Sequence, residues 1–314
     1  MSEPIDRREF VKRCVITGAG VLAGSSLSGA IERAVSPSMA MTFDLCAATG
    51  DRFFENTIRA VDAIGGMKRF VTPGKTVGLL INSPFDRRGA HTNPDIALAV
   101  MKMCVDSGAK QIFAINDFGG RYLRRSSQYD KLKSDADRIV YSDSMKEVRI
   151  ENGRALKKAE VSENLLSCDV FINIPIIKDH EGTRFSCTMK NMMGACSSST
   201  CRVFHFGGSS MLSIFKGYYS NVEVLAHSIA DISLVRRPDL SVVDATEILV
   251  TNGPSGPGEI KTPKEVIAST DGLAADMYAT HHLGLEWQEL LVIRYALEHG
   301  YGPKTLKEVK IRNI

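Results

Sequence analysis

The sequence predicts an α/β protein with a mostly parallel, Rossmann-like and doubly wound sheet that carries one inserted polar segment. Strand-like apolar runs alternate with segments of helical periodicity along most of the chain, which is the order expected of such a sheet. One strand–helix–strand unit is complete. The region 118–165 interrupts the alternation, because it is polar and rich in charge.

The complete unit comes first. TVGLLIN (76–82) is an apolar run typical of a buried strand. Residues 94–107 place apolar side chains at helical spacing and end before Gly108, and QIFAIND (111–117) predicts a second strand. A unit of this kind implies two parallel strands joined by a right-handed crossover.

Three more strands are predicted after the insertion, over 168–177, 240–245 and 265–270. A helix follows from about 272 to 282, and Asp271 is expected to cap its amino end. Within the insertion, the dipeptide Asn-Gly of Glu151-Asn152-Gly153 predicts the turn of a small β-hairpin.

The beginning of the chain resembles an export signal. Arg7 and Arg8 belong to a positively charged start, and the stretch 15–30 that follows has no charge. Ser38-Met39-Ala40 offers a cleavage site between small residues. Paired arginines before such a stretch are typical of the twin-arginine type, so we predict the twin-arginine translocon as a partner and the periplasm as the destination. A cytosolic amphipathic helix is the alternative.

This interpretation divides the chain into a signal at 1–40 and a single α/β domain at 41–314. Glu32 and Arg33 interrupt the uncharged stretch, which leaves it too short for a stable membrane span. No later segment approaches that length either. The sequence therefore predicts a protein that is not integral to the membrane.

The composition argues against nucleic acid as a partner and leaves the state of the cysteines open. The formal net charge is +3 and the basic residues are scattered, so we expect no nucleic-acid-binding surface. Of the seven cysteines, Cys14 lies in the predicted signal and six remain. An even number in an exported protein permits disulfides, but a twin-arginine passenger folds before it crosses and can acquire a cofactor in the cytosol.

Several blocks together carry a resemblance to a known family. They are, in chain order, CDVFINIPIIKDH, TMKNMMGA, HSIADI, RRPDLSVVDA, NGPSGPG and VIASTDGLAADMYATHHLG. They resemble the domain-of-unknown-function family 362 from about Thr76 to Leu285. The resemblance implies iron–sulfur or metal chemistry, since members are often fused to a ferredoxin domain, and a sheet similar to the nucleotide-binding-like half of nickel-pincer racemases. This chain departs from the family in two ways: it has no C-x-x-C-x-x-C run, and Leu80 replaces the lysine usual before Asn82.

Candidate catalytic residues follow the predicted strand at 168–177. Lys178 and His180 are two positions apart, so an extended chain directs both side chains to one face. Ligands of open α/β sheets bind at this carboxyl edge. Lys190, Asn191 and Gly194 match the next family block. We predict catalytic roles for Lys178, His180 and Lys190, and cofactor binding by Asn191 and Gly194. The alternative is a solvated Lys178 and a His180 that caps a turn.

A group of cysteines lies close by in the sequence. Cys187, Cys196 and Cys201 are separated by eight and four residues, which fits neither a zinc ribbon nor a bacterial ferredoxin run. Three thiolates can hold a four-iron cluster if a fourth ligand such as His205 completes it. We therefore predict a metal site at these four residues, with an iron–sulfur cluster or another metal as cofactor. A Cys196–Cys201 disulfide and free thiols are the alternatives.

The glycine-rich loop NGPSGPG (252–258) follows the predicted strand at 240–245. It contains no nucleotide-binding motif. Its backbone amides could cradle an anion, which makes Gly253 and Gly256 candidate cofactor-binding residues. A rigid turn is the alternative explanation of this composition.

Together these features predict an exported metal- or iron–sulfur-binding protein with a redox or electron-transfer role and an unidentified redox partner. The alternative from another class is a cofactor-free periplasmic accessory protein that binds a small anionic ligand. A metal-assisted isomerase is a third possibility that rests on fold analogy alone. The sequence leaves open whether the protein is an enzyme.

Overall fold

Two stretches of the chain, residues 43–206 and 221–314, are described by the computed structural model. The strands in chain order are β1 (Leu45–Thr49), β2 (Thr76–Ile81), β3 (Gln111–Ala114), β4 (Ile139–Tyr141), β5 (Met145–Arg149), β6 (Lys158–Ser162), β7 (Val170–Ile174), β8 (Leu240–Ala245), β9 (Ile248–Leu249), β10 (Ile260–Lys261), β11 (Glu265–Ser269) and β12 (Ile311–Asn313). The α-helices are α1 (Phe53–Ala63), α2 (Pro94–Asp106), α3 (Tyr129–Ala136), α4 (Glu163–Ser167), α5 (Thr188–Asn191), α6 (Ser198–Phe206), α7 (Val222–Ile232), α8 (Gly272–Ala279) and α9 (Leu291–Glu298). The predicted export signal at 1–40 lies outside the described residues.

Eight strands form one sheet in the order β12-β1-β11-β8-β7-β2-β3-β4. Strands β4, β3, β2, β7 and β8 are parallel to one another, and β12 is parallel to β1. Only β11 runs against both of its neighbours in this sheet. The predicted mostly parallel α/β fold is therefore confirmed.

The direction of β11 has a simple cause. The chain between β8 and β11 contains the short β9–β10 hairpin and no helix. A parallel return needs a crossover of a dozen or more residues, usually a helix, whereas a hairpin-like connection brings the chain back antiparallel. As a result, the amino end of β11 lies at the same sheet edge as the carboxyl ends of its two neighbours, β8 and β1.

The polar segment 118–165 contains the predicted hairpin, since β5 pairs antiparallel with β6. One part of this segment joins the main sheet, which was not predicted. Strand β4 extends that sheet beyond β3, so the segment is an edge of the fold as well as an insertion. Strands β1 and β12 were not predicted at all.

Helices cover both faces of the sheet. In β2, Val77 and Leu79 pack against the side of α1 and α2, whereas Leu80 packs against the side that includes α7, α8 and α9. Burial on both faces explains why the parallel strands are continuous apolar runs. The carboxyl ends of β2, β7 and β8 meet at one edge, and this edge carries the candidate site.

Side-chain caps fix where two helices begin. Asn93 accepts a hydrogen bond from the backbone N–H of Asp95 at 2.9 Å, and Pro94 occupies the first turn of α2. Asp271 accepts from the N–H of Ala274 at 2.8 Å, which confirms the predicted cap of α8. Among the described helices, none combines the length and the apolar composition that a membrane crossing requires.

Candidate functional site

Lys178 is a buried cation at the carboxyl edge of the sheet. Beyond β7 the backbone stays extended, and Lys178 pairs with Ser186 in an isolated bridge. The residue is only 2% exposed. Its ammonium group donates to the carbonyl oxygen of Ala90 at 2.7 Å and to Oδ1 of Asn82 at 3.1 Å, and it lies 4.9 Å from the centre of the Phe85 ring. The solvated position considered for Lys178 is therefore not the one observed.

A chain of three asparagine amides holds Asn82 in place. Asn82 Nδ2 donates to Asn191 Oδ1 at 2.9 Å, and Asn191 Nδ2 donates to Asn173 Oδ1 at 2.7 Å and to the carbonyl of Leu80 at 3.2 Å. Asn173 Nδ2 donates in turn to the carbonyl of Thr188 at 2.9 Å. Because each amide is oriented by the next, Oδ1 of Asn82 faces Lys178. Asn191, predicted to bind a cofactor, acts in this structure as a positioning residue.

His180 caps a turn, as the alternative interpretation had it, and its tautomer is fixed as a result. Nδ1 accepts hydrogen bonds from the backbone N–H groups of Gly182 at 3.0 Å and Thr183 at 3.3 Å. A neutral imidazole that accepts at Nδ1 carries its proton on Nε2. Burial, together with the nearby cations Lys190 and Lys178, lowers the pKa of His180 to about 2. The ring is therefore a neutral hydrogen-bond donor through Nε2.

Lys190 supplies a second cation to the same region. It lies in α5, and burial of its ammonium group lowers its pKa to about 8. Burial also lowers the pKa of Lys178 to about 7, and the positive charge of Lys190 contributes to that shift. Within residues 43–206 and 221–314, neither lysine forms an ion pair with a carboxylate.

Cys187 and Asp276 are neighbouring buried groups at the start of α5. Asp276 Oδ1 accepts from the N–H of Thr188 at 2.7 Å and from its hydroxyl at 2.5 Å, and Oδ2 accepts from the N–H of Met189 at 3.0 Å. Burial raises the pKa of Asp276 to about 6. Burial, followed by the neighbouring Asp276, raises the pKa of Cys187 far above its ordinary value. The Cys187 thiol is therefore protonated.

The other two cysteines of the group are separate thiols with different acceptors. Cys196 donates to the carbonyl of Met192 at 3.7 Å, and Cys201 donates to the carbonyl of Met193 at 3.4 Å. Both are free cysteines, so the alternative disulfide between them is not formed. Burial raises the pKa of both thiols, although Lys190 partly offsets the effect at Cys201.

The predicted ligand set is thus only partly brought together. Cys201 and His205 both lie near Lys190, since the charge of Lys190 affects the pKa of each. Burial lowers the pKa of His205 to about 4. In the described part of the chain, however, no three of the four predicted ligands place their ligand atoms within 4.8 Å of one another. These four residues, as placed, do not fit a cluster, and the thiol centre stays a prediction of the sequence.

Two of the glycines predicted to bind a cofactor, Gly253 and Gly256, have conformational roles in this structure. Gly253 donates its N–H to Oδ2 of Asp179 at 2.8 Å, and a Cβ at this position would lie 1.8 Å from the Asp179 carbonyl oxygen. Gly256 has a φ of +67°, in the left-handed region that favours glycine. These features match the rigid-turn alternative. Gly194 lies in the turn after α5 and has room for a side chain at an ordinary contact distance.

Some residues of the site were not predicted from the sequence. Asn82 directly follows the apolar strand β2, and Asn173 lies within the apolar strand β7. For Asn173 the available signal was that it is the single polar residue in FINIP (171–175). Asp276, in α8, is a buried acceptor for the first turn of α5. Asp244, in β8, carries another buried carboxylate. It is 1% exposed and accepts from the N–H of Asn93 at 2.6 Å.

A family model and one relative match most of this chain. The family model described as a domain of unknown function (DUF362) matches residues 77–281. A thylakoid-associated protein of Synechocystis sp. is 25% identical to this chain over 237 residues, which cover 72% of this chain and 68% of that protein.

Two solved structures are also similar in part. One is a protein from Thermotoga maritima, with 14% identity, a TM-score of 0.43 and coverage of 75% of this chain and 60% of that one. The other is the lactate racemase apoprotein of Thermoanaerobacterium thermosaccharolyticum, with 13% identity, a TM-score of 0.42 and coverage of 72% and 54%. This chain therefore spans less than two thirds of the length of either protein.

Proposed function

We propose that this chain, which belongs to the DUF362 family, binds a small anion that bears a carboxylate or phosphate group at Lys178 and Lys190. One observation carries the proposal: the buried Lys178 and the half-buried Lys190 place two ammonium groups at one sheet edge, and neither has a carboxylate partner among the described residues. Buried charges in proteins are ordinarily paired, because leaving one unpaired in a low dielectric is costly. An anionic ligand supplies the missing charge.

The hydrogen-bonding groups support the same class of ligand. Lysine ammonium groups only donate, and the tautomer of His180 makes its Nε2 a donor as well. Carboxylate oxygens and the unprotonated oxygens of phosphate only accept, and their hydrogen bonds with cationic donors are the strong, charge-assisted kind. A metal ion would need a lone pair from His180. Its Nδ1 lone pair already accepts two backbone N–H groups, and ligation through Nε2 would force a proton onto Nδ1 against those donors.

The lowered pKa values add a prediction about protons. With a pKa of about 7, Lys178 is only partly protonated near neutral pH. An anion beside it favours the charged form and raises that pKa, so binding takes up protons from solution. The same property suits Lys178 to general acid–base chemistry on a bound substrate.

Binding is tested by isothermal titration calorimetry of the full chain with inorganic phosphate and, separately, with oxalate, each in two buffers of different ionisation enthalpy at pH 8. We expect binding, proton uptake, and at least tenfold weaker binding for Lys190→Met. Lys131→Met is the matched control, since Lys131 is an exposed residue of α3. Equal affinity of Lys190→Met and Lys131→Met for both anions, or no binding of either anion by the unaltered chain, would refute the proposal.

The sequence-based prediction of a redox centre is kept as a separate proposal for Cys187, Cys196, Cys201 and His205. It requires the thiols to move from their present hydrogen-bond acceptors. Iron and sulfide analysis of the anaerobically purified full chain distinguishes the two ideas. Metal that is lost on each single Cys→Ser change would favour the centre, and a colourless protein that still binds phosphate would favour the anion site alone.

A further inference from the structure

A second cluster of ligand-type side chains lies elsewhere on the same sheet edge. Glu265 begins β11, and His281 and His282 occupy the short turn of 3₁₀-helix that follows α8. His282 Nε2 and Glu265 Oε2 are 2.8 Å apart. The two imidazole rings are adjacent, with centroids 4.0 Å apart and planes inclined by 35°.

The orientation of His281 leaves it ready to act as a ligand. Its Nδ1 is 2.6 Å from the carbonyl oxygen of Tyr278, which can only accept, so Nδ1 carries the proton. Its Nε2 is then the nitrogen with the lone pair. Metal-binding histidines commonly donate their other ring N–H to a carbonyl or carboxylate in this way, which fixes the ring and makes the ligand nitrogen more basic.

We propose that Glu265, His281 and His282 form a binding site for a divalent transition metal of the zinc class. One ligand atom from each residue lies within 4.8 Å of the other two. A tetrahedral site with metal–ligand bonds of about 2.1 Å needs separations of roughly 3.4 Å. The 2.8 Å distance between His282 Nε2 and Glu265 Oε2 therefore opens slightly as the metal binds, and small side-chain movements complete the site. Two imidazoles and a carboxylate are the protein ligands of open zinc sites, in which a fourth position holds water or substrate.

Burial decides which side of the site is open. Glu265 is 9% exposed and the His282 side chain 8% exposed, so these two ligands belong to the protein interior. His281 is exposed and faces solvent. A metal enters from the His281 side and replaces the proton between His282 Nε2 and Glu265 Oε2, which is released. This inference does not rest on the anion site, because strand β8 separates β11 from β7.

The test is equilibrium dialysis of the untagged full chain, stripped with chelator, against Zn²⁺, followed by visible spectroscopy of the Co²⁺ form. We expect one metal per chain, an increase in the midpoint of thermal unfolding with Zn²⁺, and a Co²⁺ spectrum without thiolate charge-transfer bands. His281→Ala should weaken Zn²⁺ binding at least tenfold. Because His281 is exposed, the His281→Ala variant should have the same circular dichroism spectrum as the unaltered chain. After chelator treatment, the two proteins should also have the same midpoint of thermal unfolding.

His91→Ala is the matched control, because Nδ1 of His91 also lies near a carbonyl oxygen, that of Arg87 at 2.9 Å. This variant should keep the metal. Should His282 or Glu265 variants fold poorly, His281→Ala alone decides the question. Full Zn²⁺ retention in His281→Ala, no stoichiometric Zn²⁺ binding by the unaltered chain, or loss of the metal in a Cys196→Ser/Cys201→Ser variant would overturn the site.

Discussion

Replacing Lys178 with methionine should change how stability depends on pH. In the unfolded chain a lysine titrates near 10.5, whereas in the folded protein the pKa of Lys178 is lowered to about 7. Between these values the unfolded state binds more protons than the folded one, so stability rises as pH rises from 7 to 10.5. Below pH 7 the difference is constant and unfavourable to the fold.

The magnitude follows from the size of the shift. Each pKa unit corresponds to about 1.4 kcal/mol, so the folded protein gains roughly 3 to 4 kcal/mol from Lys178 between pH 7 and pH 10. Lys178→Met lacks this gain. At pH 7 the variant should be as stable as the unaltered chain or more so, because an apolar side chain replaces a buried charge while two hydrogen bonds are lost. At pH 10 it should be the less stable of the two.

Urea unfolding at pH 7, 8, 9 and 10, in buffers without phosphate, measures the effect. The decisive quantity is the difference in unfolding free energy between Lys178→Met and the unaltered chain, and it should fall steadily as pH rises. Lys131→Met controls for the loss of an exposed lysine. Parallel pH profiles for the two proteins would show that Lys178 keeps an ordinary pKa and would remove the physical basis of the anion site.

Three further predictions concern other parts of the molecule. Asn191→Ala leaves three polar groups unsatisfied and should cost roughly 3 kcal/mol in urea unfolding, whereas the exposed Asn152→Ala should be nearly neutral; equal stabilities would mean that the amide chain is dispensable. Gly253→Ala forces a Cβ into the Asp179 carbonyl and should lower the free energy of unfolding by about 2 kcal/mol or more. Gly120→Ala is the control, because no atom lies within 4 Å of the added Cβ there. Thermal melts that show no change in the unfolding midpoint of either variant would contradict this prediction. Arg7→Lys/Arg8→Lys should leave a folded precursor in the cytoplasm, and its appearance in a periplasmic fraction would refute the twin-arginine assignment.

The strands that the sequence predicts well are those with long apolar runs. Strands β2, β7 and β8 are buried on both faces, so their sequences contain a continuous signal. Strand β1 (LCAAT) is short and rich in alanine, and β12 (IRN) has three residues, two of them polar and exposed. Their place in the sheet depends on partners far along the chain, such as the pairing of Leu45 with Ser269, and no local pattern encodes that.

The site was predictable in position but not in chemical state. The two-residue spacing of Lys178 and His180 after an apolar strand was enough to place them at the carboxyl edge. Whether Lys178 is buried depends on Phe85 and Ala90, which come from a different loop. The thiols illustrate the opposite error, because closeness in sequence suggested a shared centre. In the fold, Cys187 faces Asp276 on α8, whereas Cys196 and Cys201 donate to carbonyl oxygens of the turn after α5.

Asp276 has a consequence for mutational scans of this region. Its carboxylate holds the first turn of α5, the helix that carries Lys190, and the same α8 that bears Asp276 leads directly into His281 and His282. A substitution of Asp276 is therefore expected to disturb the supports of both proposed sites at once. Loss of anion or metal binding in such a variant would show that a shared support has moved. A second substitution, confined to one of the two sites, is needed before any residue is said to contact the anion or the metal directly.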